Sequence, residues 1–303
     1  MGYGSYSHEA HEVISRSYAT KSTQEVFKQS KIHPLMDPKN VKLRESCDSE
    51  THPNSLGIIF ALDVTGSMAE IPAQLAKKEL PSFMKILTDT GTPDPQILFT
   101  AIGDATCDSA PLQIGQFESA AKEMDFWLTN TFLERGGGGT NSESYDLAFY
   151  FAARHTRMDC WDKRNQKGFL FLTGDENPYP SVSRHYVKHL IANEIQDDIY
   201  MANIVEEVKK TYEPYFLIPD QGRRSNCEAE WRRLLGNNVI CLDTPADTCY
   251  VAAALVGLGT GTIANTEALA EVLKTQDLSK HRIEGIIRAV KPAPKTSTGK
   301  SRQ

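Results

Sequence analysis

The sequence predicts a doubly wound α/β fold: a mainly parallel central sheet with helices on both faces and one antiparallel edge strand. Short apolar runs alternate with stretches of helical periodicity from residue 56 to about 260, the pattern of crossover-linked parallel strands. One run, residues 112–117, instead alternates with period two, so one of its faces should be half-covered. It can pair antiparallel with the run before it, through residues 104–111. The 303 residues suffice for one large α/β domain with appendages.

Residues 1–55 read as a lead-in. The first 30 or so are polar, with a short helix expected over 7–18 that either docks or stays mobile. His8 and His11 stand three apart, not in the zinc-protease spacing, and read as a surface pair. Residues 33–55 hold Pro34, Pro38 and Pro53 and look extended, with 41–44 alternating like an edge strand.

The first sheet strand is Ile58-Ile59-Phe60-Ala61-Leu62, free of charge until Asp63 and preceded by the breakers His52-Pro53-Asn54-Ser55. Helical spacing follows over 71–87, where Pro81 should bend or split the helix. After a Pro/Gly loop at 90–95 come a strand over 96–102, the edge strand and an amphipathic helix over 117–132. A run of four glycines, 136–139, precedes Thr140. Further helices are expected from 141 and over 184–195, 200–212, 228–235 and 246–258. Strands are expected at 169–172, 215–218 and 239–242. The domain should span 56–260. Two helices within 261–290 should lie outside the core, and the acid-free Pro/Ser/Thr/Lys tail 291–303 should be disordered.

Chemistry concentrates where the first strand ends. Asp63-Val64-Thr65-Gly66-Ser67-Met68 alternates acid, hydroxyl and hydroxyl on a tight turn. Oxygen donors of this kind suit a hard divalent cation such as Mg²⁺. Gly66 allows the sharp turn, and open α/β sheets bind ligands at such strand-to-helix junctions.

This motif resembles the first segment of the metal-ion-dependent adhesion site of von Willebrand factor A-type domains, matched through Met68. Gly-Gly-Gly-Gly-Thr at 136–140 resembles the second segment, and Phe-Leu-Phe-Leu-Thr-Gly-Asp-Glu at 169–176 the third. One departure stands out: the family reads Thr-Asp-Gly where this chain reads Thr-Gly-Asp, so the acid comes one residue late. The resemblance covers roughly 56–257. It implies a Rossmann-like fold with an antiparallel sheet edge. It also implies Mg²⁺ or Mn²⁺ held by Asp63, Ser67, Thr140 and Asp175, with Thr65 in support. The vacant coordination position would take an Asp or Glu carboxylate of a partner protein. The intracellular, bacterial-type members that this motif resembles often work with AAA+ ATPases or in multiprotein assemblies.

Other residues bear on other function classes. Gly103-Asp104 with Asp108 resembles an acidic motif of haloacid-dehalogenase-type phosphatases, with Asp63 as nucleophile and Mg²⁺ as cofactor. Those enzymes place an acid two residues after the nucleophile, and Thr65 cannot act as an acid or base near neutral pH. A scaffold without an ion is the third class. Gly136–140 is no Walker A loop, because no Lys precedes the Thr. Residues 257–262 follow a helix, the wrong place for a dinucleotide fingerprint. His185 and His189 share a helix face with Arg184 and Lys188 and read as solvated.

Net charge is −6, which gives no global attraction to nucleic acid or anionic membrane. No apolar run approaches the ~20 residues of a membrane helix, and no secretory signal is visible at residues 1–5. Six scattered cysteines without a Cys-x-x-Cys pair argue for reduced thiols and a cytoplasmic location.

Overall fold

The computed structural model describes residues 4–134 and 141–291. Six strands form the central sheet: β1 Leu56–Asp63, β2 Pro95–Ile102, β3 Leu112–Ile114, β4 Gly168–Thr173, β5 Tyr212–Ile218 and β6 Val239–Cys241. Their spatial order is 6-5-4-1-2-3. All neighbours pair in parallel except β2 with β3, which run antiparallel. The doubly wound sheet and its single antiparallel edge are those the sequence predicts.

β1 is central and buried at every position, as its uninterrupted apolar run requires. Side chains alternate across a strand, so neighbours such as Tyr215 and Phe216 serve opposite faces. On one face Phe99, Phe60, Phe171 and Tyr215 form a cross-strand aromatic row over β2, β1, β4 and β5. Phe83, from helix Leu80–Asp89, meets that row edge-on at Phe60. On the other face Phe216 packs against Tyr145 of helix Tyr145–Arg154 and Trp231 of helix Arg224–Leu235. Both faces are thus covered by helices.

Several local expectations are corrected. The lead-in strand is Arg44–Ser46, and it pairs in parallel with Thr156–Met158, apart from the central sheet. Alternation over 41–44 had no means of revealing a partner more than a hundred residues away. The helix expected over 117–132 is shorter, Ala121–Thr129, because Glu118 bridges back to Ile97 in extended form. The helix over 184–195 ends at Ile191, followed by Ala192 in the left-handed region at φ 54°. The C-terminal helices Thr266–Lys274 and Lys280–Val290 are not outside the core: Leu269, Leu273, Ile286 and Val290 are buried within it. The tail 292–303 lies outside the described residues. The N-terminal helix His8–Arg16 is docked, with Ser15 Oγ donating to the Ala76 carbonyl at 2.6 Å. His11 is no surface residue. It is buried 3.1 Å from the Tyr6 hydroxyl, and burial lowers its pKa to about 4. All six cysteines are free thiols. Among the described residues, no helix is long and apolar enough to cross a membrane.

The break expected at Pro81 takes a specific form. Glu70–Gln74 runs into a π-helical turn, Leu75–Glu79, before Leu80–Asp89 begins. Proline has no N–H to give its own helical bond, and the ladder widens just upstream. Glu79 ends that turn with its carboxyl buried and Oε2 unpartnered among the described residues. Burial pushes its pKa up to about 8, against the charge of Arg282 and Lys78 and with that of Asp247. The unfolded chain releases this proton near the ordinary 4.5, the folded chain only near 8. Between these values the native state holds the extra proton. Glu79's contribution to stability is therefore full at low pH and lost as pH rises through 8, with a slope of at most ~1.4 kcal/mol per unit. Urea unfolding should show Glu79→Gln gaining on wild type from pH 5 to pH 8. A constant difference between the two proteins would refute the assignment.

Candidate functional site

The chain winds outward from β1 through β2 to β3, then returns to the other side of β1 with β4. The winding reverses between β1 and β4, and open α/β sheets place ligands outside the carboxyl ends of strands at such a point. Asp63 is the last residue of β1, and Asp175 lies two residues beyond β4. Ser142–Glu143 pairs in parallel with Asn177–Pro178. That short ladder brings Glu143, from the segment after the glycine run, over the same strand ends.

Asp63 is fully buried. Its Oδ1 accepts the Thr65 backbone N–H at 2.9 Å and the Thr65 hydroxyl at 2.7 Å. Its Oδ2 accepts the Tyr145 hydroxyl at 2.8 Å. Gly66 follows at φ 41°, the left-handed conformation that the turn was expected to need. Burial raises the Asp63 pKa to about 7; the bonds from Thr65 and Tyr145 oppose the rise, and the charge of Asp175 adds to it.

Thr65 Oγ1 also lies 3.2 Å from Glu143 Oε1. Glu143 accepts this longer contact from the hydroxyl that also donates to Asp63 Oδ1. Its pKa is pushed up to about 9, first by burial and then by Asp63 and Glu176. Glu143 Oε2 is buried without a hydrogen-bond partner among the described residues, as is Glu176 Oε2. Burial and the charge of Asp175 raise Glu176 as well. Asp175 differs from these acids: Arg223 Nη1 lies 2.9 Å from its Oδ2.

Tyr145 explains the late acid after β4. A Cβ at Gly174 would stand 2.0 Å from the Tyr145 hydroxyl and 2.6 Å from its ring carbon Cζ. Any side chain at 174 collides with the donor that holds Asp63, so the acid appears at 175.

Of the five expected ligands, Thr65 is bonded to Asp63, and Asp175 lies near enough for its charge to act on Asp63. Thr140 lies outside the described residues, and so does the Ser67 side chain, on the turn Gly66–Ala69. Glu143, Tyr145, Glu176 and Arg223 were not singled out from sequence. Only Glu143 had a local signal, an acid three residues after the expected Thr140 ligand. Among the described residues, no three His, Cys, Asp or Glu side chains form a group able to hold a metal. The expected donor set, however, relies on hydroxyls as well as acids. The residues present fit a hard cation: the donors are oxygens, Asp63, Glu143 and Glu176 form no salt bridge among the described residues, and the buried Glu143 Oε2 and Glu176 Oε2 lack hydrogen-bond partners there.

Asp104 and Asp108 form a turn that borders the acid site, where the charge of Asp104 adds to the rise of Glu143 and Glu176. Asp108 Oδ2 accepts the Asp104 N–H at 2.7 Å, and Asp104 Oδ1 accepts from Thr106 N at 2.8 Å and the Tyr179 hydroxyl at 2.9 Å. Gly257 lies inside helix Thr248–Thr260, and Gly261 caps that helix at φ 80°. No phosphate-binding strand-to-helix turn exists there. His185 and His189 are exposed, as expected.

No protein-family model matches this chain, and no curated protein matches it. Among solved structures, the pilus adhesin SpaC from Lactobacillus rhamnosus GG, in its open conformation, aligns with a TM-score of 0.44 at 10% identity. The alignment covers 77% of this chain and 31% of the adhesin. A von Willebrand factor type A structure from Catenulispora acidiphila aligns with a TM-score of 0.40 at 13% identity, over 69% of this chain and 43% of its own. This chain spans less than half the length of either. The fold class stated here rests on the sheet itself.

Proposed function

We propose that the chain is a von Willebrand factor A-like interaction module. It would hold Mg²⁺ or Mn²⁺ with Asp63, Ser67, Thr140 and Asp175, supported by Thr65, and capture a partner protein's Asp or Glu carboxylate. The observation that carries this reading is the gathering of buried acids at the switch point, with Glu143 Oε2 unpartnered among the described residues. A bound dication supplies the positive charge that these acids lack and a coordination position for one further carboxylate. The chain's own residues do the positioning. Tyr145 and Thr65 fix both oxygens of Asp63, and the Thr65 hydroxyl links Asp63 to Glu143. Cytoplasmic location, drawn from the scattered cysteines, and a partner from an AAA+ ATPase or other assembly, implied by the motif, belong to this proposal.

The phosphatase alternative has less support. The acid that those enzymes place two residues after the nucleophile is absent: Thr65 stands there, and its hydroxyl donates to Asp63 Oδ1. Titration calorimetry with Mn²⁺ should show binding to wild type and at least a tenfold loss in Asp63→Asn, roughly the weight of one charged ligand. Partner capture should need Mg²⁺ and fail in EDTA. Equal, negligible heats for both proteins would leave a scaffold without an ion. Mg²⁺-dependent turnover of a generic phosphoester, abolished in Asp63→Asn, would instead establish the phosphatase.

A further inference from the structure

We infer that Arg223 is a resident counter-cation of the acid site, which releases Asp175 to an entering divalent ion while staying tethered to Asp220. The inference deepens the ion-binding reading above and rests on it. Among the described residues, Asp175 has an ion-pair partner at this site, whereas Asp63, Glu143 and Glu176 form no salt bridge. Arg223 reaches three loops at once. Its Nη1 lies 2.9 Å from Asp175 Oδ2 after β4 and 3.2 Å from Met68 Sδ on the turn after β1. Its Nε lies 3.0 Å from Asp220 Oδ2 after β5. The guanidinium is therefore placed at the acid cluster.

The two carboxylate bonds are not equivalent. Asp220 is fixed by its own turn, with Oδ1 accepting the N–H groups of Gly222 at 2.8 Å and Arg223 at 3.2 Å. That bond does not depend on Asp175 and survives its loss. Asp175 is an expected ligand, and a guanidinium and a dication compete for the same carboxylate while repelling each other. Ion entry thus exchanges one cation for another on Asp175, and Arg223 remains on Asp220. The side chain is 27% exposed, so the exchange needs no unpacking of the core.

The test is Mn²⁺ binding to the full chain at low and high ionic strength, read by calorimetry or by the electron paramagnetic resonance signal of free Mn²⁺. Arg223→Gln removes the competing charge. It should bind Mn²⁺ about tenfold more tightly than wild type at low salt, with the gap narrowing as salt screens the repulsion. Arg223→Lys keeps the charge and should stay near wild type. If wild type binds Mn²⁺ and Arg223→Gln binds no more tightly, the exchange is refuted and Arg223 is only a clamp on its loops. If neither protein binds Mn²⁺, the ion-binding reading falls and the inference falls with it.

Discussion

Trp231→Ala should cost about 3–5 kcal/mol of unfolding free energy, the range for deleting a fully buried tryptophan. Trp231 has no exposed surface. Its ring stacks on Phe216 at 3.9 Å between centroids and 15° between planes, and meets Tyr145 edge-on at 5.4 Å. Its indole Nε1 donates to the Glu176 carbonyl at 2.9 Å. Truncation opens a cavity between helix Arg224–Leu235 and β5, and it also strands that carbonyl. Trp231→Phe separates the two effects. It keeps an aromatic ring on Phe216 and gives up the donor, so it should cost about 1–2 kcal/mol. Equilibrium urea unfolding measures both, with Trp127 and Trp161 left as fluorescent reporters. An Ala variant within 1 kcal/mol of wild type would mean that this packing does not anchor the face. The effect should extend to function, since Glu176 follows the expected ligand Asp175 and Tyr145 holds Asp63.

The same contacts show why some of the site was legible in sequence and some was not. Asp63 was legible because an uninterrupted apolar run ends on it. A buried strand that stops at an acid states both its position and its chemistry. Asp175 was legible for the same reason at the end of β4. Its one-residue delay had no local explanation, because the cause is the Tyr145 hydroxyl, contributed by a helix 29 positions earlier. Arg223 lies in a polar loop, where nothing distinguishes it from Arg224. Only the closing of β5 beside β4 brings it to Asp175. The fold divides in the same way. Strands and helices with strong periodicity were placed well, whereas Arg44–Ser46 depended on a partner strand near residue 157. The C-terminal helices show apolar spacing, but periodicity alone does not say whether the stripe meets the core or solvent. Here it meets the core, through Leu269, Leu273 and Ile286.

Gly174→Ala should destabilise the protein by about 3 kcal/mol, at the upper end of the range for overpacking. The added Cβ would lie 2.0 Å from the Tyr145 hydroxyl, 2.6 Å from Cζ and 2.9 Å from Cε1, so one partner must move. The backbone at 174 is tied, its N–H donating to the Leu217 carbonyl of β5 at 3.2 Å. Tyr145 is then the group displaced, although it is fully buried against Phe216 and Trp231. Displacement breaks its bond to Asp63 and leaves a buried carboxylate oxygen without its donor, a further cost of about 1–3 kcal/mol. Tyr145→Phe alone should cost about 1–2 kcal/mol through that bond. In the double variant the closest contact is absent and the bond is already gone, so the two costs should fall short of their sum by at least ~0.5 kcal/mol. Strict additivity would show that the collision is relieved elsewhere. Writing Thr-Asp-Gly at 173–175 through Gly174→Asp with Asp175→Gly should disrupt the fold while Tyr145 is present. Adding Tyr145→Ser should relieve the collision and recover part of that loss, less the cost of the emptied ring volume, because the residue at 174 and the donor to Asp63 compete for one volume.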